Sequence, residues 1–203
     1  MLAYVFWHRP RQDDRRDAYE QSLIAFHRSL ARTPPVGTLA CAAYRVEGAP
    51  LPPSDDGSDG PAYEDWYLVE DFAALGVLNE AAVGRGHRTS HDDVARRFGA
   101  GAGGLYALLE GAPCAGALGE AALAVWIARP PGSTRRALGE LLGDGIDPAH
   151  ASLWRRQLVL GPAPEFCVLA SEIPAGVTPA RLPDGWSAVT SAREPLVAGS
   201  FSR

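Results

Sequence analysis

His8 is the residue best suited by type and position to do chemistry. It stands near the end of an aromatic and β-branched run, Leu2 to Arg9, that stops at Pro10. Period-two alternation puts Tyr4, Phe6 and His8 on one face of such a strand and Val5, Trp7 and Arg9 on the other. Imidazole changes charge near neutral pH, so His8 can act as a general base or as a haem ligand. The plainer reading is a histidine hydrogen-bonded at a strand end. Arg9 has a counterpart in Arg129, since Val5-Phe6-Trp7-His8-Arg9-Pro10 parallels Val125-Trp126-Ile127-Ala128-Arg129-Pro130. Two arginine forks so placed can bind a carboxylate or phosphate, or pair with local acids such as Glu70 and Asp71. The partner of His8 in this parallel is Ala128, so a site built on His8 is asymmetric.

The densest group of metal-capable side chains is His87, His91, Asp92 and Asp93. A spacing of four suits one helical face. Gly86 and a capping Ser90 put His87 outside the helix, however, and no third ligand stands out, so a solvated loop and no metal site is expected. Cys41, Cys114 and Cys167 are far apart and form no CxxC pair, so they read as buried thiols. No P-loop, GxSxG, HExxH, Rossmann or EF-hand pattern occurs.

Composition narrows the chemistry further. The 203 residues carry 19 basic side chains, all arginine, against 24 acids, for a net charge of -5. The absence of lysine excludes a Schiff base and a Walker lysine. A net negative chain without a cationic cluster is not expected to bind nucleic acid. The alanine, glycine and arginine bias suggests a bacterial, GC-rich source. No signal peptide or spanning segment is evident, so a cytoplasmic location without membrane partners is expected.

The elements that would position these residues follow from pattern. Residues 2–9 read as a strand, and Tyr19, Leu23, Phe26 and Leu30 stripe a helix over 18–31 that ends at Thr33-Pro34-Pro35. Residues 38–47 and 63–70 read as strands joined by an acidic Pro/Gly-rich loop, 49–62. Helices are expected over 72–83 and 90–98, with the glycine run 99–104 as a turn and 105–109 as a strand. In the second half, residues around 125–128, 152–160 and 165–170 read as strands and 134–142 as a helix. Arg155, Arg156 and Gln157 suggest that their strand is an edge. Only a short strand, 186–189, is expected in the Pro/Gly-rich tail.

This order predicts an α+β fold of two tandem ferredoxin-like (βαββαβ-type) repeats, 1–112 and 118–203. Antiparallel sheets carry helices on one face, and the second repeat is truncated. The arrangement resembles the dimeric α/β-barrel superfamily in its fused tandem form, over roughly residues 1–170. That resemblance implies two facing sheets with a pocket between them, lined by Tyr4, Arg9, Trp126 and Arg129, with His8 the one catalytic candidate. Members of that superfamily include haem enzymes as well as cofactor-independent ones, so the fold does not settle function; for this chain a small organic ligand and no cofactor are expected. A second copy covering the edge left by the missing strand would make a homodimer. Two functions stay open: a small-molecule-binding protein without catalysis, or a cofactor-independent monooxygenase or isomerase acting on a small aromatic or lactone with His8 as base.

Overall fold

The computed structural model describes residues 1–11, 13–51, 61–84, 86–112, 118–119, 121–142, 147, 150–159, 164–172, 177–178 and 181–201. Most of the acidic loop 49–62, and Cys114, lie outside the described residues. The strands are β1 (Leu2–Pro10), β2 (Thr38–Glu47), β3 (Ala62–Val69), β4 (Phe98–Gly111), β5 (Leu123–Ala128), β6 (Ala151–Val159), β7 (Phe166–Ala170) and β8 (Ser187–Ser200). The helices are α1 (Arg16–Arg32), α2 (Phe72–Val83), α3 (Arg88–Ala95) and α4 (Arg135–Leu142).

The eight strands close into one antiparallel barrel in the order β1-β3-β2-β8-β5-β7-β6-β4. This overturns the expected pair of open ferredoxin-like sheets with a truncated second repeat. The missing strand is β8, 14 residues long rather than a short stub. It pairs with β2 on one side and β5 on the other. β4 and β6 close the opposite seam. β6 is paired with both β4 and β7 as far as Arg155, where the β7 ladder stops, while Arg156 still pairs with β4. The uncovered edge that argued for a homodimer is absent from the closed barrel.

Closure follows from side-chain patterning on both strand faces. In β3 all eight residues are buried. Ala62, Glu64, Trp66 and Leu68 point into the barrel, while Tyr63, Asp65, Tyr67 and Val69 point out towards the helices, the alternation a pleated strand imposes. Inside, Trp7, Trp66, Trp126, Trp154, Tyr44 and Tyr106 fill the lumen with Val5, Cys167 and Leu169. Small residues on β2, Ala40 and Ala42, make room for these rings. The lumen also holds an ion pair with no solvent exposure of either side chain: Arg193 Nε stands 3.0 Å from Glu64 Oε1. The Trp7 and Trp66 indoles donate to the two Glu64 oxygens at 3.1 and 2.6 Å. The Arg193 guanidinium lies 3.6 Å from the Tyr44 ring centre, and its Nη1 donates to the Ala121 carbonyl at 3.0 Å.

Outside, α1, α2 and α3 cover the β1–β3 side, with Leu23, Phe26 and Leu30 of α1 buried. α4 covers β5 and β7 through Leu138 and its neighbours, packed on Val125, Ile127 and Phe166. Among the described residues no helix is long and apolar enough to cross a membrane.

Candidate active site

Between the outer face of the barrel and α1–α3 lies a cavity of about 620 Å³. β1 supplies Tyr4, Phe6 and His8, β3 supplies Asp65 and Tyr67, and β4 supplies Phe98. The helices add Tyr19 and Phe26 of α1, Phe72, Leu75, Leu78, Asn79, Ala82 and Val83 of α2, and His91 and Val94 of α3. Most of the lining is apolar; Asn79 and His91 add polar groups from the helices, and the other polar side chains gather at one corner.

That corner is built on Asp65, an acid with almost no exposure in the middle of β3. His8 Nε2 stands 3.3 Å from Asp65 Oδ2 and His27 Nε2 3.5 Å from Oδ1. Tyr67 Oη donates to Asp65 Oδ2 at 3.1 Å and stands 3.2 Å from His27 Nε2. His8 Nδ1 lies 2.6 Å from Tyr19 Oη. A carboxylate beside Nε2 favours the tautomer with its proton on that nitrogen, which leaves Nδ1 to accept the Tyr19 hydroxyl proton. The chain thus runs Tyr19–His8–Asp65, with His27 on the far oxygen.

Burial alone would raise the Asp65 pKa, but the two imidazoles outweigh it and hold the carboxyl well below the usual carboxylate range. Burial would lower the His27 pKa, yet the Asp65 charge and hydrogen bond lift it to about 10. His27 is therefore a cation at neutral pH and Asp65 its counter-ion. The Tyr19 hydroxyl is pushed far up, by burial first and by the Asp65 charge second. Tyr67 shifts the same way for the same reasons. Neither phenol ionises on its own at neutral pH.

The residues singled out from sequence separate. Tyr4 and His8 line the cavity together. Trp126 is buried in the barrel lumen, on the other side of the sheet. Arg129 is half-buried and forked onto Glu165, Nε to Oε2 at 2.7 Å and Nη2 to Oε1 at 3.0 Å. Arg9 is half-buried at the end of β1, on the face opposite His8. His87, expected in a solvated loop, is buried: it sits 2.6 Å from Ser29 Oγ and 3.0 Å from the Thr33 carbonyl, tying the start of α3 to the end of α1. Among the described residues no group of three His, Cys, Asp or Glu side chains is placed to hold a metal. Sequence reasoning missed Asp65, His27 and Tyr19 as site residues. The available signal was Glu64-Asp65, two consecutive acids inside an apolar strand, which must bury one charge on each face.

No protein-family model matches the chain, and no curated protein sequence does. Solved structures do. An anthrone oxidase-like protein superposes with a TM-score of 0.55 at 11% identity, over 100% of this chain and 94% of that one. A monooxygenase candidate from Lactobacillus acidophilus NCFM gives 0.52 at 10% identity, over 99% of each chain. At these identities the likeness is one of fold, and it covers the whole chain, β8 included.

Proposed function

We propose that this protein binds a flat aromatic compound in the cavity between barrel and helices and removes a weakly acidic proton from it. The observation that carries this reading is the Tyr19–His8–Asp65 chain opening onto a mostly apolar cavity. As the substrate gives its proton to Tyr19 Oη, Tyr19 passes its own to His8 Nδ1, and the imidazolium formed is stabilised by Asp65. No free phenolate of Tyr19 arises, which suits its raised pKa. His27, already protonated, keeps Asp65 ionised and unable to take the proton itself. The roles of Tyr19 and Asp65 here are transfer and charge stabilisation, and His8 is the base.

An electron-rich aromatic anion held in an apolar cavity is also a reductant for dioxygen. With an activated methylene substrate, carbon bonds to oxygen and the resulting peroxide takes the proton back from His8. Loss of water then leaves a carbonyl, so that CH2 and O2 become C=O and H2O with no cofactor. The names of the two fold neighbours are in keeping with oxidation, and they support this second step only by analogy of fold.

The test uses 2-naphthol, whose anion absorbs and fluoresces at longer wavelength than the neutral form. Wild type is expected to ionise bound 2-naphthol at a pH below that needed in water, and Tyr19→Phe or His8→Gln to bind it neutral. Bound naphthol that stays neutral in wild type, or ionises equally in both variants, would sink the relay. Oxygen uptake with an activated methylene compound and no added cofactor tests the second step.

A further inference from the structure

The glycines of β4 take no part in the proton relay, yet they shape the cavity. In the β1–β4 ladder Gly101 lies opposite His8 and Gly103 opposite Phe6, so both glycines face the helix layer. A Cβ on Gly103 would stand 2.8 Å from Tyr4 Oη and 3.1 Å from Tyr4 Cε2. One on Gly101 would stand 2.8 Å from Phe6 Cζ and 2.9 Å from Phe98 Cε2. Non-bonded carbons rest about 3.5–4.0 Å apart. The three rings therefore occupy the trough left by the missing side chains. They form a near-parallel row, with Tyr4–Phe6 at 17° and Phe6–Phe98 at 26° between ring planes. Each of the three lines the cavity.

We propose that Gly101 and Gly103 set the depth of this cavity and so select for ligands larger than a single ring. The inference rests on the binding reading above and adds the size of what is bound. An apolar cavity of roughly 150 Å³ takes a benzene, and this one is about 620 Å³. A Cβ at position 103 pushes the Tyr4 ring outward by about 0.4 Å or more, the difference between 3.1 Å to Cε2 and carbon–carbon contact at about 3.5 Å. That movement narrows the slot for a fused-ring ligand while leaving room for one ring. Gly103 is the better position to change, because all three nearest atoms belong to the Tyr4 side chain, whereas a Cβ at 101 also meets the Trp7 carbonyl oxygen at 2.7 Å.

The experiment compares 2-naphthol and phenol by fluorescence titration on wild type, Gly103→Ala and Gly103→Ala/Tyr4→Ala, with thermal unfolding of each. Gly103→Ala is expected to weaken 2-naphthol at least tenfold and phenol less than twofold, and the double variant to restore 2-naphthol to within threefold of wild type. Equal weakening of both probes, or no weakening of either, would overturn the proposal. A wild type that binds neither compound refutes the binding reading instead. The depth claim then stands or falls on a crystal structure of Gly103→Ala: a Tyr4 ring tilted into the cavity upholds it, and an unmoved ring with β4 displaced overturns it.

Discussion

Replacing Arg193 by methionine should cost this protein a large part of its stability. Arg193 and Glu64 face each other in the lumen with no solvent exposure. Methionine fills similar volume but leaves the Glu64 carboxylate buried without its counter-ion. Removing one partner of a buried pair typically costs about 3–5 kcal/mol, because the remaining charge is left uncompensated. The lost stacking on Tyr44, 3.6 Å from the guanidinium, belongs to the same change. For a chain of this length each kcal/mol moves the melting temperature by roughly 2–4 °C, so Arg193→Met should melt roughly 6–20 °C below wild type. Glu64→Gln/Arg193→Met should recover most of that loss. The glutamine oxygen still accepts an indole N–H from Trp7 or Trp66, and no charge remains at position 64 or 193. The assay is thermal unfolding by circular dichroism, completed as a double-mutant cycle with Glu64→Gln. A single variant within about 1 kcal/mol of wild type, or a double variant no better than Arg193→Met, would refute the claim that charge pairing governs the lumen.

Stability should fall as pH rises from about 6.5 to about 10. The His27 pKa is raised to about 10 in the fold from an unfolded value near ~6.5. Its contribution is complete below the lower value and lost through the upper one; urea midpoints against pH should flatten over this window in His27→Gln. On the acid side, the depressed Asp65 pKa makes a contribution present above ~3.9 and lost as pH falls towards the folded value; Asp65→Asn should weaken the acid dependence of the same midpoints. Cys167 is fully buried, with its thiol pKa raised by burial and by Glu64. With Cys114→Ser in place, Ellman's reagent should label neither Cys41 nor Cys167 until denaturant is added, and rapid labelling of Cys167 in the native protein would contradict the closed lumen. His87→Ala removes the tie from α3 to Ser29 and Thr33; it should cost about 1–3 kcal/mol and speed amide exchange in α3 more than in α2.

Local pattern made parts of this architecture legible. The Tyr19, Leu23, Phe26, Leu30 stripe is buried as helical spacing requires, and Phe6 on one face of β1 with Val5 and Trp7 on the other gives it two apolar sides to cover. Here the lumen covers one side and the helix layer the other. The glycine run was unreadable as strand because glycine has no side chain to alternate. Its place in β4 is set by the Tyr4, Phe6 and Phe98 rings that fill the trough. β8 was hidden because Arg193-Glu194-Pro195 breaks an apolar alternation: Arg193 turns inward to Glu64, and Pro195, which lacks an N–H, sits at a register shift opposite Tyr44. His8 was found on its strand face, but Asp65, His27 and Tyr19 come to it from β3 and α1 through tertiary folding, which spacing along one element cannot reveal.

The closing strand also sets a timetable. β2 ends at Glu47 and its outer partner begins at Ser187, so ~140 residues must be made before that seam can zip. At roughly 5–20 residues per second of synthesis the β2 edge, Thr38–Glu47, stays unpaired for something like 7–28 seconds on every nascent chain. An apolar strand with open backbone donors and acceptors is an invitation to mispair with a neighbouring polysome product. A ribosome that stalls short of Ser187 leaves a chain whose β1–β4 helix layer can assemble while the barrel gapes, a substrate for chaperones and proteases rather than a smaller working protein.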